Sequence, residues 1–279
     1  MTPFHIPPAG DFPVLRFSDW LELVADRSAA LRKAAEAADA RARVPGCPDW
    51  TVHDLVAHVG QVQRFWAAAV TAGPATRPPD PHPDPTTDPS SDPASARDGA
   101  LLPPGELSAW SARATATLLD ALRAAGPDRE CWTWWAAPGR PATAGTVARH
   151  QVQEAAVHAR DAQDAAGAPA PLPPALALDA VDELLQVGFG TMDGWPHAPA
   201  RVALVSTEGP AWTLILDATG ASAVRVGPGD GPAPDACLTG SAGELLLCLY
   251  RRVPWNSGTL RVSGDPAPVR QLAVWSPLD

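Results

Sequence analysis

Glu154 and His158 stand four residues apart in the stretch RHQVQEAAVHARDAQDAAG. On a helix that spacing sets a carboxylate and an imidazole on one face, one turn apart. Together they can hold one divalent metal if a third ligand comes from elsewhere in the chain. His58, in WTVHDLVAHVGQVQRFW, is the best candidate for that ligand. Two histidines and a glutamate leave coordination positions open for water or substrate, as a catalytic metal requires. Each residue also has a plainer reading: most ExxxH pairs are surface contacts, and a histidine on an apolar face is usually a satisfied core residue. The surroundings favour the metal. Glu154 sits among Val152, Ala155, Ala156 and Val157, and His58 among Val56, Ala57 and Val59. A carboxylate or imidazole facing an apolar core is costly unless it is paired or metal-bound.

Helices must position these groups. The first is expected over about 18–42, where Trp20, Leu21, Val24, Leu31 and Ala35 recur at helical spacing. VPGCPD ends it, because Pro45 and Pro48 cannot continue a helix. A second starts at Thr51, an N-cap with Asp54 three residues on, and buries Val52, Leu55, Val56, Val59, Val62, Phe65 and Trp66. A third is expected over 105–125 and a fourth over 144–166, the latter carrying Glu154 and His158. After a PAPLPP linker comes another helix over 175–189. The segments RVALVSTE, AWTLILD and ASAVRVG then read as strands, SAGELLLCLYRR as a helix and TLRVSGD as a last strand before a short terminal helix.

The expected fold class is therefore α+β. An up-and-down four-helix bundle occupies 15–167, a linker and connecting helix 168–197, and a small α+β domain 198–279. Within the bundle, 73–98 is rich in Pro and Asp and is expected to be an exposed, mobile loop. His82 and its neighbouring aspartates belong to that loop. As solvated ligands they would lose much ordering entropy on binding a metal, so they are set aside as a metal cluster.

Composition narrows the function classes. With 46% hydrophobic residues the chain can build a core, and a formal charge of -10 without a basic run argues against nucleic-acid binding. Cys47, Cys131, Cys237 and Cys248 form no CxxC pair, so neither a disulfide framework nor a cysteine zinc site is expected. The opening MTPFHIPPAGDFPVLRF lacks the pattern of a signal peptide, and no apolar run is long enough for a membrane span. A cytoplasmic protein is the expectation. No P-loop or GxGxxG points to a nucleotide.

The string VPGCPDWTVHDLVAHVGQVQRFW, followed at a distance by QEAAVHARDAQDAAG, resembles the mycothiol-dependent maleylpyruvate isomerase family, within the wider DinB-like metal-binding bundles. LTGSAGELLLCLYRRVP and LRVSGDPAPVRQL resemble that family's C-terminal domain more loosely. The resemblance implies a zinc-like divalent metal held by His58, Glu154 and His158, with mycothiol as cosubstrate. It also places a functionally important arginine near Arg251 and Arg252. Three departures concern the substrate, one of them the length of the Pro/Asp-rich loop at 73–98. The usual His-Glu pair of the fourth-helix motif is Gln153-Glu154 here, and Arg160 stands where an aromatic is usual before the Asp.

Several roles stay open at this stage. Asp161, one turn beyond His158, either orients a ligand imidazole or is a surface charge. Arg251 and Arg252 either clamp a carboxylate of thiol or substrate or complement a helix C-terminus. Trp132, Trp134 and Trp135 line a pocket, pack the core or cover the bundle, and Cys47 reads as a buried thiol. The function expected is thiol transfer to, or thiol-assisted isomerisation of, a small electrophile. The alternatives are a metal-binding regulatory protein and a metal-assisted hydrolase. Oligomeric state is not legible.

Overall fold

The computed structural model describes residues 14–79, 99–137, 140–227 and 232–275. By contacts the chain divides into two units, 16–170 and 171 onward. In the first, α1 (Phe17–Ala37), α2 (Val52–Ala72), α3 (Pro104–Ala125) and α4 (Ala144–Ala165) pack as a four-helix bundle. Their apolar stripes meet in its centre, where Leu31, Leu55, Leu118 and Val147 are fully buried. Most of the segment expected to be a Pro/Asp-rich loop, His82 included, lies outside the described residues.

The start of α2 is set by local chemistry. Asp54 N–H donates to Thr51 Oγ1 while the Asp54 carboxylate accepts from Thr51 N–H, a reciprocal cap that satisfies two otherwise unpaired donors. The stretch before it does more than break a helix. β1 (Arg43–Val44) and β2 (Cys47–Thr51) form a short antiparallel ribbon that leads directly into α2. It carries Cys47 and Trp50 to the same end of α2 as His58.

Strict up-and-down alternation does not hold in the bundle. Thr115 Oγ1 donates to Gln63 Oε1 at 2.7 Å, and a Cβ built on Gly60 would lie 2.1 Å from the Trp110 ring. Nearer the start of both helices, Val52 and Val56 share a cavity with Pro104 and Leu107. The early residues of α2 thus face the early residues of α3, and the two helices run parallel. Between α1 and α3 the order is reversed, with Glu36 accepting from Ser108 and Thr115 accepting from Arg32. The physical reason is the connection between Gly73 and Pro103. It is long enough to return along the ~30 Å length of a helix such as α2 before α3 starts.

The second unit holds α5 (Pro174–Gln186), β3 (Ala200–Ser206), β4 (Ala211–Asp217), β5 (Gly220–Val226), β6 (Ala236–Gly240), α6 (Ala242–Leu249), β7 (Arg261–Gly264) and α7 (Pro266–Trp275). The sheet order is β5-β4-β3-β6-β7, with β3 and β6 parallel and every other pair antiparallel. β6 is absent from the sequence reading. It is short and almost wholly buried, so it shows none of the alternation that marks a half-buried strand. α5 is no mere connector: its buried Asp182 accepts from Trp212 Nε1 at 3.0 Å and from two nitrogens of Arg225 at 2.7 Å. Among the described residues no helix is long and apolar enough to cross a membrane, and the four cysteines are free thiols.

Candidate metal centre

α2 and α4 run antiparallel, since His58 faces Glu154 and His158 at one level while Trp66 faces His150 at the next. That packing closes the gap in sequence between His58 and the ExxxH pair. His58 Nε2 stands 3.0 Å from Glu154 Oε1, and His158 Nε2 stands 3.3 Å from the same oxygen. One donor atom from each residue lies within 4.8 Å of the others. Ligands held about 2.0–2.2 Å from a tetrahedral zinc stand roughly 3.4 Å from one another. The spacing and the N, N, O donor set therefore suit a divalent cation with little rearrangement.

The surroundings orient the donors. His158 Nδ1 donates to Asp161 Oδ2 at 2.9 Å, which leaves Nε2 directed to the shared oxygen of Glu154. Asp161 has no exposed surface, so its alternative reading as a surface charge falls away. Cys47 Sγ lies 3.7 Å from the same Asp161 oxygen, as a weak donor. The Trp50 ring packs 4.5 Å from His58 and 5.9 Å from His158, centroid to centroid, and covers one side of the cluster.

Electrostatics tie the three donors together in the metal-free chain. Burial by itself would raise the Glu154 pKa, but His158 and then His58, by charge and hydrogen bond, hold it well below the usual carboxylate range. For His158, burial opposes the charged form. The Glu154 charge and the hydrogen bond to Asp161 outweigh burial and raise its pKa to about 9. At neutral pH a proton on His158 thus occupies the place where a cation would satisfy the same carboxylate.

An open cleft of about 580 Å³ reaches Glu154 and is lined by Gln61, Val62, Phe65, Trp66, Trp134 and His150. Of the three tryptophans singled out in the sequence, Trp134 lines this cleft and Trp135 is buried, donating to the Pro141 carbonyl. Trp132 packs against Phe65 and Trp66. Trp50, Gln61, Phe65, Trp66 and His150 were not read as site residues. For His150 a signal was available: it precedes Glu154 by the same four residues that separate Glu154 from His158.

Arg251 and Arg252 belong to the second unit. There Arg252 N–H donates to the Leu247 carbonyl and Arg251 N–H to that of Cys248, the paired bonds that close a helix C-terminus. Arg251 takes a left-handed φ of 59° at the position where glycine is usual. Its guanidinium donates to the Val274 carbonyl, and that of Arg252 to the Tyr250 carbonyl.

Residues 21–163 match the family described as Mycothiol maleylpyruvate isomerase N-terminal domain, and residues 175–270 match its companion, the MDMPI C-terminal domain. The chain belongs to the mycothiol-dependent maleylpyruvate isomerase family. Membership places it among enzymes. Two solved structures share the fold. One is the crystal structure of the mycothiol-dependent maleylpyruvate isomerase, at 18% identity and a TM-score of 0.56. The other is a mutant of that isomerase, at 17% identity and a TM-score of 0.57. Each alignment covers 89% of this chain and 93% of the other. No curated protein matches the chain.

Proposed function

We propose that this family member is a metal-dependent, cytoplasmic enzyme that uses mycothiol to transfer a thiol to, or isomerise, a small electrophilic substrate. The observation that carries the reading is the convergence of His58, Glu154 and His158 where an open cleft reaches Glu154. A divalent cation held by these donors, zinc in the first instance, would stabilise a thiolate near neutral pH and so supply a strong nucleophile. Asp161 fixes the His158 tautomer and ring direction, and Trp50 keeps water from one side of the cluster. The cleft gives thiol and electrophile their approach. The thiol sulfur then adds reversibly to an electrophilic double bond, allowing rotation before it leaves, or displaces a leaving group and stays attached. Arg251 and Arg252 are the cations of this reading for a carboxylate of thiol or substrate, and Arg251 holds its place despite a backbone conformation that favours glycine.

Two measurements test the proposal. Elemental analysis of the full chain should give stoichiometric divalent metal, and His58→Ala should lose it. Electrophile consumption should depend on added mycothiol. Full turnover without any thiol would overturn the thiol half in favour of hydrolysis. A His58→Ala variant that keeps metal and activity would overturn the metal half.

A further inference from the structure

His158 has a second ring nitrogen, and it faces a second set of donors. Nδ1 stands 2.9 Å from Asp161 Oδ2, and Cys47 Sγ stands 3.7 Å from that same oxygen. One donor atom from each of Cys47, His158 and Asp161 lies within 4.8 Å of the others. A tetrahedral cation bonded at about 2.3 Å to sulfur and about 2.1 Å to oxygen holds those two atoms roughly 3.6 Å apart. The three donors thus already stand near ligating distances. They also differ in kind from His58, Glu154 and His158 Nε2, because a thiolate selects softer, thiophilic ions. α4 sets His158 and Asp161 one turn apart, and β2 brings Cys47 to them from far along the chain. Cys47 is the half-buried thiol of the four, so an ion can reach it. Cys131, Cys237 and Cys248 are buried, and burial pushes the thiols of Cys131 and Cys248 up to about 11.

We propose that Cys47, His158 Nδ1 and Asp161 form a second cation site, for a thiophilic divalent ion such as cadmium or zinc in excess, which shares the His158 ring with the centre at His58 and Glu154. On binding, the Cys47 S–H and His158 Nδ1–H bonds break and both protons pass to solvent. Sulfur, nitrogen and an Asp161 oxygen then bond the ion, with no oxidant or reductant involved. With both sites filled, the thiolate, the bridging imidazolate, Glu154 and Asp161 supply four negative charges for two divalent cations. The two ions still repel across one ring, and each draws electron density from the nitrogen that the other uses. Filling either site therefore weakens the other by the same factor, so an excess of thiophilic ion loosens the first centre.

The test is a cadmium titration of the full-length chain supplied with one equivalent of zinc, without added thiol. The ultraviolet charge-transfer absorbance of a cadmium thiolate reports binding at Cys47, and a zinc-responsive dye reports release from the first centre. The absorbance should saturate near one cadmium per chain, with zinc release rising alongside it. Cys47→Ser should lose both effects, because a hydroxyl stays protonated at neutral pH, and Cys131→Ser should keep both. Asp161→Asn should bind cadmium about tenfold or more weakly, since the carboxylate charge is gone. His58→Ala, which lacks a ligand of the first centre, should keep the absorbance. No absorbance, an absorbance that survives Cys47→Ser, or an Asp161→Asn variant that binds cadmium like the parent would each overturn the proposal. Equal zinc release from the parent and from Cys47→Ser would overturn the coupling between the sites. If the cadmium thiolate forms as expected in a chain that takes up no zinc at the first centre, the second site stands and the metal half of the proposed function falls.

Discussion

At the scale of single residues, the centre depends on groups that touch one another. Asp161 accepts from His158 Nδ1, so replacing it with asparagine removes a charged acceptor while keeping shape. Asp161→Asn should weaken metal affinity by about 10–100-fold, measured by competition with a chelator of known affinity. The His158 pKa, raised to about 9 from an ordinary 6.5, sets a pH dependence for the metal-free chain. A raised pKa means that the protonated imidazole stabilises the fold. Its contribution is complete below pH 6.5 and is lost as pH rises through about 9. Metal-free protein should therefore melt at falling temperatures across that window, and His158→Gln should flatten the slope. In the metal-loaded chain, where His158 must already be neutral to ligate, this residue should contribute no such loss of stability as pH rises across that window.

At the scale of elements, the bundle helices were legible because a 3.6-residue apolar period is a local property, carried by Leu31, Leu55, Leu118 and Val147 and their neighbours. The Thr51–Asp54 cap was legible for the same reason. β6 was not, because its partners β3 and β7 lie far away in the chain, and the β1–β2 ribbon was not, because its strands are too short to show an alternating pattern. Arg251 closes α6 with a left-handed φ of 59°, which costs a non-glycine residue about 1 kcal/mol. Arg251→Gly should raise stability by up to about that amount in thermal melts, as relief of this strain. If its guanidinium binds a carboxylate of thiol or substrate, the same variant should lose turnover while gaining stability. Unchanged kinetics would leave Arg251 with a structural role alone.

At the scale of the whole molecule, what matters is whether the fold depends on the metal. The bundle has its own apolar core and a buried polar network in which Gln63 bonds Ser28 and Thr115. Chelation should therefore abolish activity, lower the melting temperature and leave the far-ultraviolet circular dichroism unchanged. Collapse of the helical signal on chelation would instead favour a structural or regulatory metal.

Much about this protein follows from the sequence alone. Its α+β class, the helices that bear the donors and the pairing of Glu154 with His158 rest on periodicity and spacing, which neighbouring residues set among themselves. Joining His58 to that pair rested on an apolar setting and on the order of two motifs. Only the tertiary structure decided that α2 and α3 run parallel, that Asp161 is buried against His158, and that Trp50 and the Phe65–Trp66–Trp134–His150 walls surround the donors. Helix direction and the meeting of side chains distant in sequence come from packing whole elements against one another, and no local pattern records it.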